Sequence, residues 1–172
     1  PLAETGMQIG FQVEPLRGIV SADYTVAVIA VRLGSYGIGV FKGPRLVSSK
    51  VGTGLVHARH KKGGSSSGRF ARHREKQIES FFTRVCGHLR DKVEPYLNQV
   101  DYAVYGGEAQ TVTSFRKSCP LTRQLNGRTL EYLLNLREPR QASLVAAIED
   151  VYAARVVHWY EPVDRGDGVV RV

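Results

Sequence analysis

An α/β domain on one mixed sheet, with elements in the order βββαβαβα, is the fold this sequence predicts, and three observations carry it. An apolar, β-branched run, Tyr24-Thr-Val-Ala-Val-Ile-Ala-Val31, is followed closely by Gly37-Ile-Gly-Val-Phe41, the pattern of a hairpin entering a buried sheet. Downstream the apolar spacing changes to three, four or eight at Phe70, Ile78, Phe81, Phe82, Val85, Leu89, Val93 and Leu97, one face of a long helix running to about Pro95. A chain of 172 residues with 42% hydrophobic residues suits one domain with its own core and is too short for a multidomain machine.

The remaining elements follow in order. Gly34-Ser-Tyr-Gly37 and Gly43-Pro44 mark turns, and Arg45 to Val56 supplies a third strand of mixed polarity. Gly37-Ile-Gly39 and Gly52-Thr-Gly54 read as turns or sheet bends, because neither opens a helix after a strand as a nucleotide fingerprint must. After the long helix, Asp101-Tyr-Ala-Val-Tyr105 is a short strand closed by Gly106-Gly107. Thr111 to Gln124 is helical with a break near Cys119-Pro120. Thr129 to Leu136 is a last strand, and Ala142, Val145, Ile148, Val151, Tyr152 and Val156 trace a final amphipathic helix. Three meandering strands followed by two crossover units give the layout of ribonuclease-H-like folds, with a mobile Gly-rich loop before the long first helix. The domain is expected over residues 21–161, with an N-terminal extension at 1–20 and a tail at 162–172. His158-Trp159-Tyr160 is expected against the sheet edge.

The net charge is +8, and it is concentrated. Arg59, Lys61, Lys62, Arg69, Arg72, Arg74 and Lys76 face only Glu75 between residues 59 and 76, leaving 17 basic and 15 acidic residues elsewhere. That segment is built for an anion. No apolar run approaches the roughly 20 residues of a spanning helix. No charged region followed by an apolar stretch opens the chain, so secretion has no support and a reducing cytoplasm is the default. The start at Pro1 suggests a processed or excised chain. Cys86 and Cys119 have neither CxxC spacing nor a histidine cluster beside them, which predicts neither a disulfide framework nor a zinc site.

One local rule is broken. Helix N-termini carry unpaired N–H groups and partial positive charge, so acidic residues belong in the first turns. Here Ser66 or Ser67 caps the helix, yet Arg69, Arg72 and Arg74 crowd its start. An anionic partner resolves the conflict, and RNA is the polyanion it suits. Gly63 and Gly64 permit positive φ and let another molecule approach the backbone with no Cβ in the way.

At these residues a family becomes recognisable. Gly63-Gly-Ser-Ser-Ser-Gly-Arg-Phe-Ala-Arg-His-Arg-Glu75 resembles the GGQ loop and helix start, GGQSxxRFxRxR, in the middle domain of the eukaryotic and archaeal class I translation release factor. It is also similar to the Vms-like release factors, peptidyl-tRNA hydrolases of ribosome quality control. Gly63, Gly64, Ser66, Arg69, Phe70, Ala71, Arg72 and Arg74 match the pattern, and the similarity covers most of the chain. Ser65 stands where the translation factor has glutamine. Gln77 does not replace it, lying 12 residues further on and roughly 18 Å along a helix.

The resemblance implies hydrolysis of the ester between nascent peptide and tRNA, inside the large ribosomal subunit, in rescue of stalled complexes. Gly63 and Gly64 would set the loop backbone, Ser65 would offer its N–H to developing negative charge, and Ser65 or Ser66 would bind water through its hydroxyl. Arg59, His60, Lys61, Lys62, Arg69, Arg72 and Arg74 would contact ribosomal RNA or tRNA phosphates. The protein is then a cytoplasmic, monomeric hydrolase whose partners are the large subunit and peptidyl-tRNA, with no metal, cofactor or membrane. Two alternatives remain open: a ribosome- or tRNA-binding module without hydrolysis, because the glutamine is absent, and an RNA-cleaving enzyme. A serine nucleophile based on His57, His60 or His73 lacks an orienting carboxylate and a GxSxG elbow. Two-metal cleavage needs carboxylates converging from strand centres, and Tyr24 to Val31 has none.

Overall fold

The computed structural model describes residues 14, 17, 18, 21–57 and 67–153. Among them β1 (Thr25–Arg32), β2 (Ser35–Lys42), β3 (Arg45–Thr53), β4 (Tyr102–Gly107) and β5 (Thr129–Leu134) form one sheet in the order β3-β2-β1-β4-β5. β1, β2 and β3 pair antiparallel, whereas β4 joins β1 and β5 joins β4 in parallel. This is the mixed sheet the sequence predicts. The helices are α1 (Ser67–Val93), α2 (Ala109–Ser118), α3 (Leu121–Gln124) and α4 (Gln141–Tyr152), with 3-10 turns at Glu94–Tyr96 and Asn126–Arg128. Extended backbone at Cys119, φ −107 and ψ 110, separates α2 from α3, as expected of a residue before proline.

β1 reads as apolar throughout because both of its faces are covered. Ala27, Ile29 and Val31 pack with Phe81, Val85 and Leu89 of α1 and Phe115 of α2. Val26, Val28 and Ala30 pack with Leu144, Ala147 and Ile148 of α4. Each such valine, leucine, isoleucine or phenylalanine contributes about 1.5–3 kcal/mol relative to exposure, so β1 is the strand on which both layers depend. Asp101 extends the β1–β4 pairing: its Oδ2 accepts from the Thr25 N–H at 2.8 Å, and its own N–H donates to the Thr25 carbonyl at 2.9 Å.

Several details differ from the sequence expectation. The first hairpin turns at Leu33-Gly34, with Gly34 at φ +92, so Ser35 and Tyr36 already belong to β2. Gly37 and Gly39 lie inside β2 and are not bends; a Cβ on Gly37 would stand 3.2 Å from Pro139 Cβ, so the glycine lets the segment before α4 lie close on the sheet. Phe70, expected on the buried face of the long helix, is 55% exposed. The extension 1–20 (apart from residues 14, 17 and 18), the tail 162–172 and His158-Trp159-Tyr160 lie outside the described residues.

The cysteines require a correction. Cys86 and Cys119 form a disulfide with a Cα–Cα distance of 5.5 Å, across a sequence separation of 33. Motif spacing tests only for local clusters, whereas helix packing brings these two together: Cys86 sits on the buried stripe of α1 and Cys119 at the α2–α3 junction. The bond ties α1 to that junction.

Candidate functional site

Of the residues expected to form the site, Arg59, His60, Lys61, Lys62, Gly63, Gly64, Ser65 and Ser66 lie outside the described residues. Arg69, Arg72 and Arg74 stand on the first two turns of α1. No acidic residue occupies the first turn of this helix, so the reversal of the usual charge preference is real. Its first buried side chain is Phe81, fourteen residues and roughly 21 Å beyond Ser67. The start of α1 thus outruns the sheet and holds its arginines away from the core.

On one face of this projecting segment, Arg69, Arg72, Lys76, Ser80 and Arg84 recur three or four residues apart. With His73 they line an open groove of about 710 Å³, to which Leu55 and Phe81 contribute apolar wall. Glu75 and Glu79 do not line the groove. Among the described residues no carboxylate forms an ion pair with any of these cations. Four cationic side chains sharing a groove with no ion-pair partner among the described residues raise the local potential for a polyanion.

Lys76 and Arg84 extend the expected phosphate contacts. Arg84 is absent from the charge run because it lies eight residues past Lys76, but the helical spacing from Arg69 contains it. A Cβ on Gly54 would meet the Arg84 guanidinium and, at 2.6 Å, the Phe81 ring, so Gly54 serves close helix approach and makes no bend of its own. Burial pushes the Tyr36 hydroxyl up from its ordinary pKa, and Arg84 pulls it partly back.

Arg74 does not line the groove. Its Nε donates to the His57 carbonyl at 3.0 Å, the His57 N–H donates to Gln77 Oε1 at 3.2 Å, and the His57 and His73 rings meet edge-on at 6.4 Å. Arg74 and Gln77, one turn apart on α1, therefore hold the backbone at His57, where the described chain leaves for residues 58–66. The clamp sets where that segment departs. Replacing Arg74 and Gln77 together by alanine is expected to slow the proposed reaction by roughly tenfold, as two exposed hydrogen bonds near the low end of their usual worth sum to about 1.4 kcal/mol. Single-turnover release with a parallel melting curve checks this; the midpoint should hold while the rate falls.

The centres of β1 and β4 carry no carboxylates, reading TVAVIAVR and YAVYGG, and Glu131 in β5 is exposed. Glu108, the acid beyond β4, accepts from the Thr111 hydroxyl at 3.1 Å at the start of α2. The described residues therefore do not assemble the donor set of two-metal cleavage.

Residues 24–157 match the family model described as the Actinobacteria/chloroflexi VLRF1 release factor. Peptide chain release factor subunit 1 of Archaeoglobus fulgidus is 26% identical over 130 residues, covering 76% of this chain and 32% of its own length. Among solved structures, one described as an archaeal protein superposes with a TM-score of 0.54 at 18% identity, covering 80% of this chain and 36% of that one. The archaeal translation termination factor aRF1 superposes with a TM-score of 0.52 at 16% identity, covering 82% of this chain and 44% of that one. These two likenesses show a shared fold, and the chain spans about a third of the curated relative's length, 32%. Because the family match runs from the residue before β1 past the end of α4, the chain belongs to the Actinobacteria/chloroflexi VLRF1 release factor family.

Proposed function

We propose that this chain hydrolyses peptidyl-tRNA on the large ribosomal subunit, releasing nascent peptides from stalled complexes. The observation that carries the reading is the unneutralised cationic face of α1, which leads straight out of the Gly63-Gly64 segment in a release-factor family member. Arg69, Arg72, Lys76 and Arg84 meet phosphates, as Lys61 and Lys62 do beyond them, and these contacts orient the domain without reading bases. Gly63 and Gly64 then present the Ser65 N–H to the ester.

The chemistry balances simply. Water adds to the ester carbonyl carbon and loses a proton, and charge develops on the former carbonyl oxygen. Collapse breaks the bond to the 3′-oxygen of the terminal adenosine, which takes up a proton. A fixed N–H donor aimed at that charge is worth about 10²–10³ in rate. Ser65 lacks the reach of glutamine, so its hydroxyl holds water less well and the reaction is slower than in a factor that keeps the glutamine. On this reading the protein works beside ribosomes in the cytoplasm, as a monomer without a cofactor; no helix among the described residues is long and apolar enough to cross a membrane.

The test is incubation with purified large subunits carrying a nascent chain on tRNA, followed by a denaturing gel. Free peptide with full-length tRNA is the expected result. Peptidyl-tRNA that survives saturating protein would leave a binding module, and shortened tRNA would reveal an RNA-cleaving enzyme.

A further inference from the structure

The start of α1 is not the only unopposed cationic surface. From residue 109 to 130 the chain carries Arg116, Lys117, Arg123 and Arg128 and no acidic residue. Folding gathers three of these: Thr113, Arg116, Lys117, Thr122, Arg123 and Asn126 line a second open recess of about 550 Å³ between α2, α3 and the turn that follows. Arg128 is engaged elsewhere, its Nη1 donating to the Leu97 and Val100 carbonyls at 2.7 and 2.8 Å.

The recess is held in shape before any partner arrives. Arg116 Nη2 donates to Asn126 Oδ1 at 2.8 Å, and its guanidinium lies 4.8 Å over the Tyr105 ring. The Thr122 hydroxyl bridges the two walls through the carbonyls of Arg116 and Cys119, at 2.9 and 2.7 Å. The Cys86–Cys119 bond anchors the junction to α1. A guanidinium braced by neutral partners keeps its full charge and loses little further freedom on meeting an anion. Lys117 and Arg123 are exposed and have no ion-pair partner among the described residues.

Position matters as much as charge. Cys86 lies nineteen residues into α1, so the recess stands roughly 28 Å along the helix from its start. No single phosphate group reaches both Arg69 at the start of α1 and the recess, whereas a nucleic-acid backbone can span them.

We propose that this recess is a second phosphodiester-binding surface, engaging an RNA backbone while the start of α1 engages RNA nearer the ester; the proposal rests on the ribosomal reading above. The test uses the full chain with Lys117→Gln and Arg123→Gln together, both exposed, so the melting midpoint should not move. Binding is titrated against polyuridylate and against purified large subunits over a range of salt. With polyuridylate, loss of two phosphate contacts should flatten the slope of log affinity against log salt by about 1.4, so that wild type loses about sevenfold more affinity than the variant between about 50 and 200 mM. The exchange Lys117→Arg with Arg123→Lys should restore the wild-type slope. Unchanged slopes with both probes would overturn the proposal, as would a loss confined to subunits, which would assign the recess to an acidic ribosomal protein. The two readings separate: release without a slope change sinks this inference alone, and a slope change without release sinks the hydrolytic reading alone.

Discussion

Replacing Gly63 or Gly64 with alanine is expected to slow peptide release by about 10²–10³-fold, the worth of one positioned donor at a developing oxyanion, with little change in binding to the large subunit. The expected effect is local to the loop backbone. Adjacent glycines permit backbone conformations and close approaches that a Cβ forbids, so alanine misdirects the following N–H without removing any charge. Ser65→Pro, which deletes that N–H outright, should match the glycine variants, while Ser65→Ala keeps the N–H and should keep most of the rate. Single-turnover release and co-sedimentation with subunits measure the two halves of the claim. Undiminished release by either glycine variant would remove this segment from the chemistry, and loss of sedimentation would show that the glycines serve binding.

The second large effect concerns stability. Reducing the Cys86–Cys119 bond, or replacing both cysteines with serine, is expected to destabilise the protein by about 3–4 kcal/mol, the chain-entropy figure for a closed loop of 33 residues. For a chain of 172 residues that lowers the melting midpoint by roughly 10 °C. Melting curves with and without a thiol reductant check it, and coincident curves would show that the sulfurs do not pair in solution. Both cysteines lie in the core half of α1 and its neighbours; Cys86 is fourteen and seventeen residues beyond Arg72 and Arg69 at the start of the helix, and only Arg84 of the groove stands near it. Reduction should therefore lower the midpoint much more than it changes RNA binding at the start of α1.

Fold and site were legible in unequal parts. Strand and helix identities could be read wherever burial is periodic: β1 apolar on both faces, α1 with its stripe from Ile78 to Val93, and the break before Pro120. Phe70 fitted the same stripe and is nonetheless exposed, because periodicity says which way a side chain faces and not how far the sheet extends beneath the helix. Arg69 and Arg72 were found through a charge run, and Arg84 escaped because it stands outside the run on the same helical face.

Sequence alone therefore determined the order of elements, the concentration of charge and the motif Gly63-Gly64 to Arg74 that announces the family, since each is a pattern among near neighbours in the chain. Tertiary structure decided what distant residues do to one another. Arg74 and Gln77 reach back 17 and 20 positions to hold His57, Cys86 meets Cys119 across 33, and Arg116 and Asn126 shape a recess that only the break between α2 and α3 creates. Those contacts depend on which helix faces cross and at what height, which follows from packing the whole sheet and is not encoded in any local stretch.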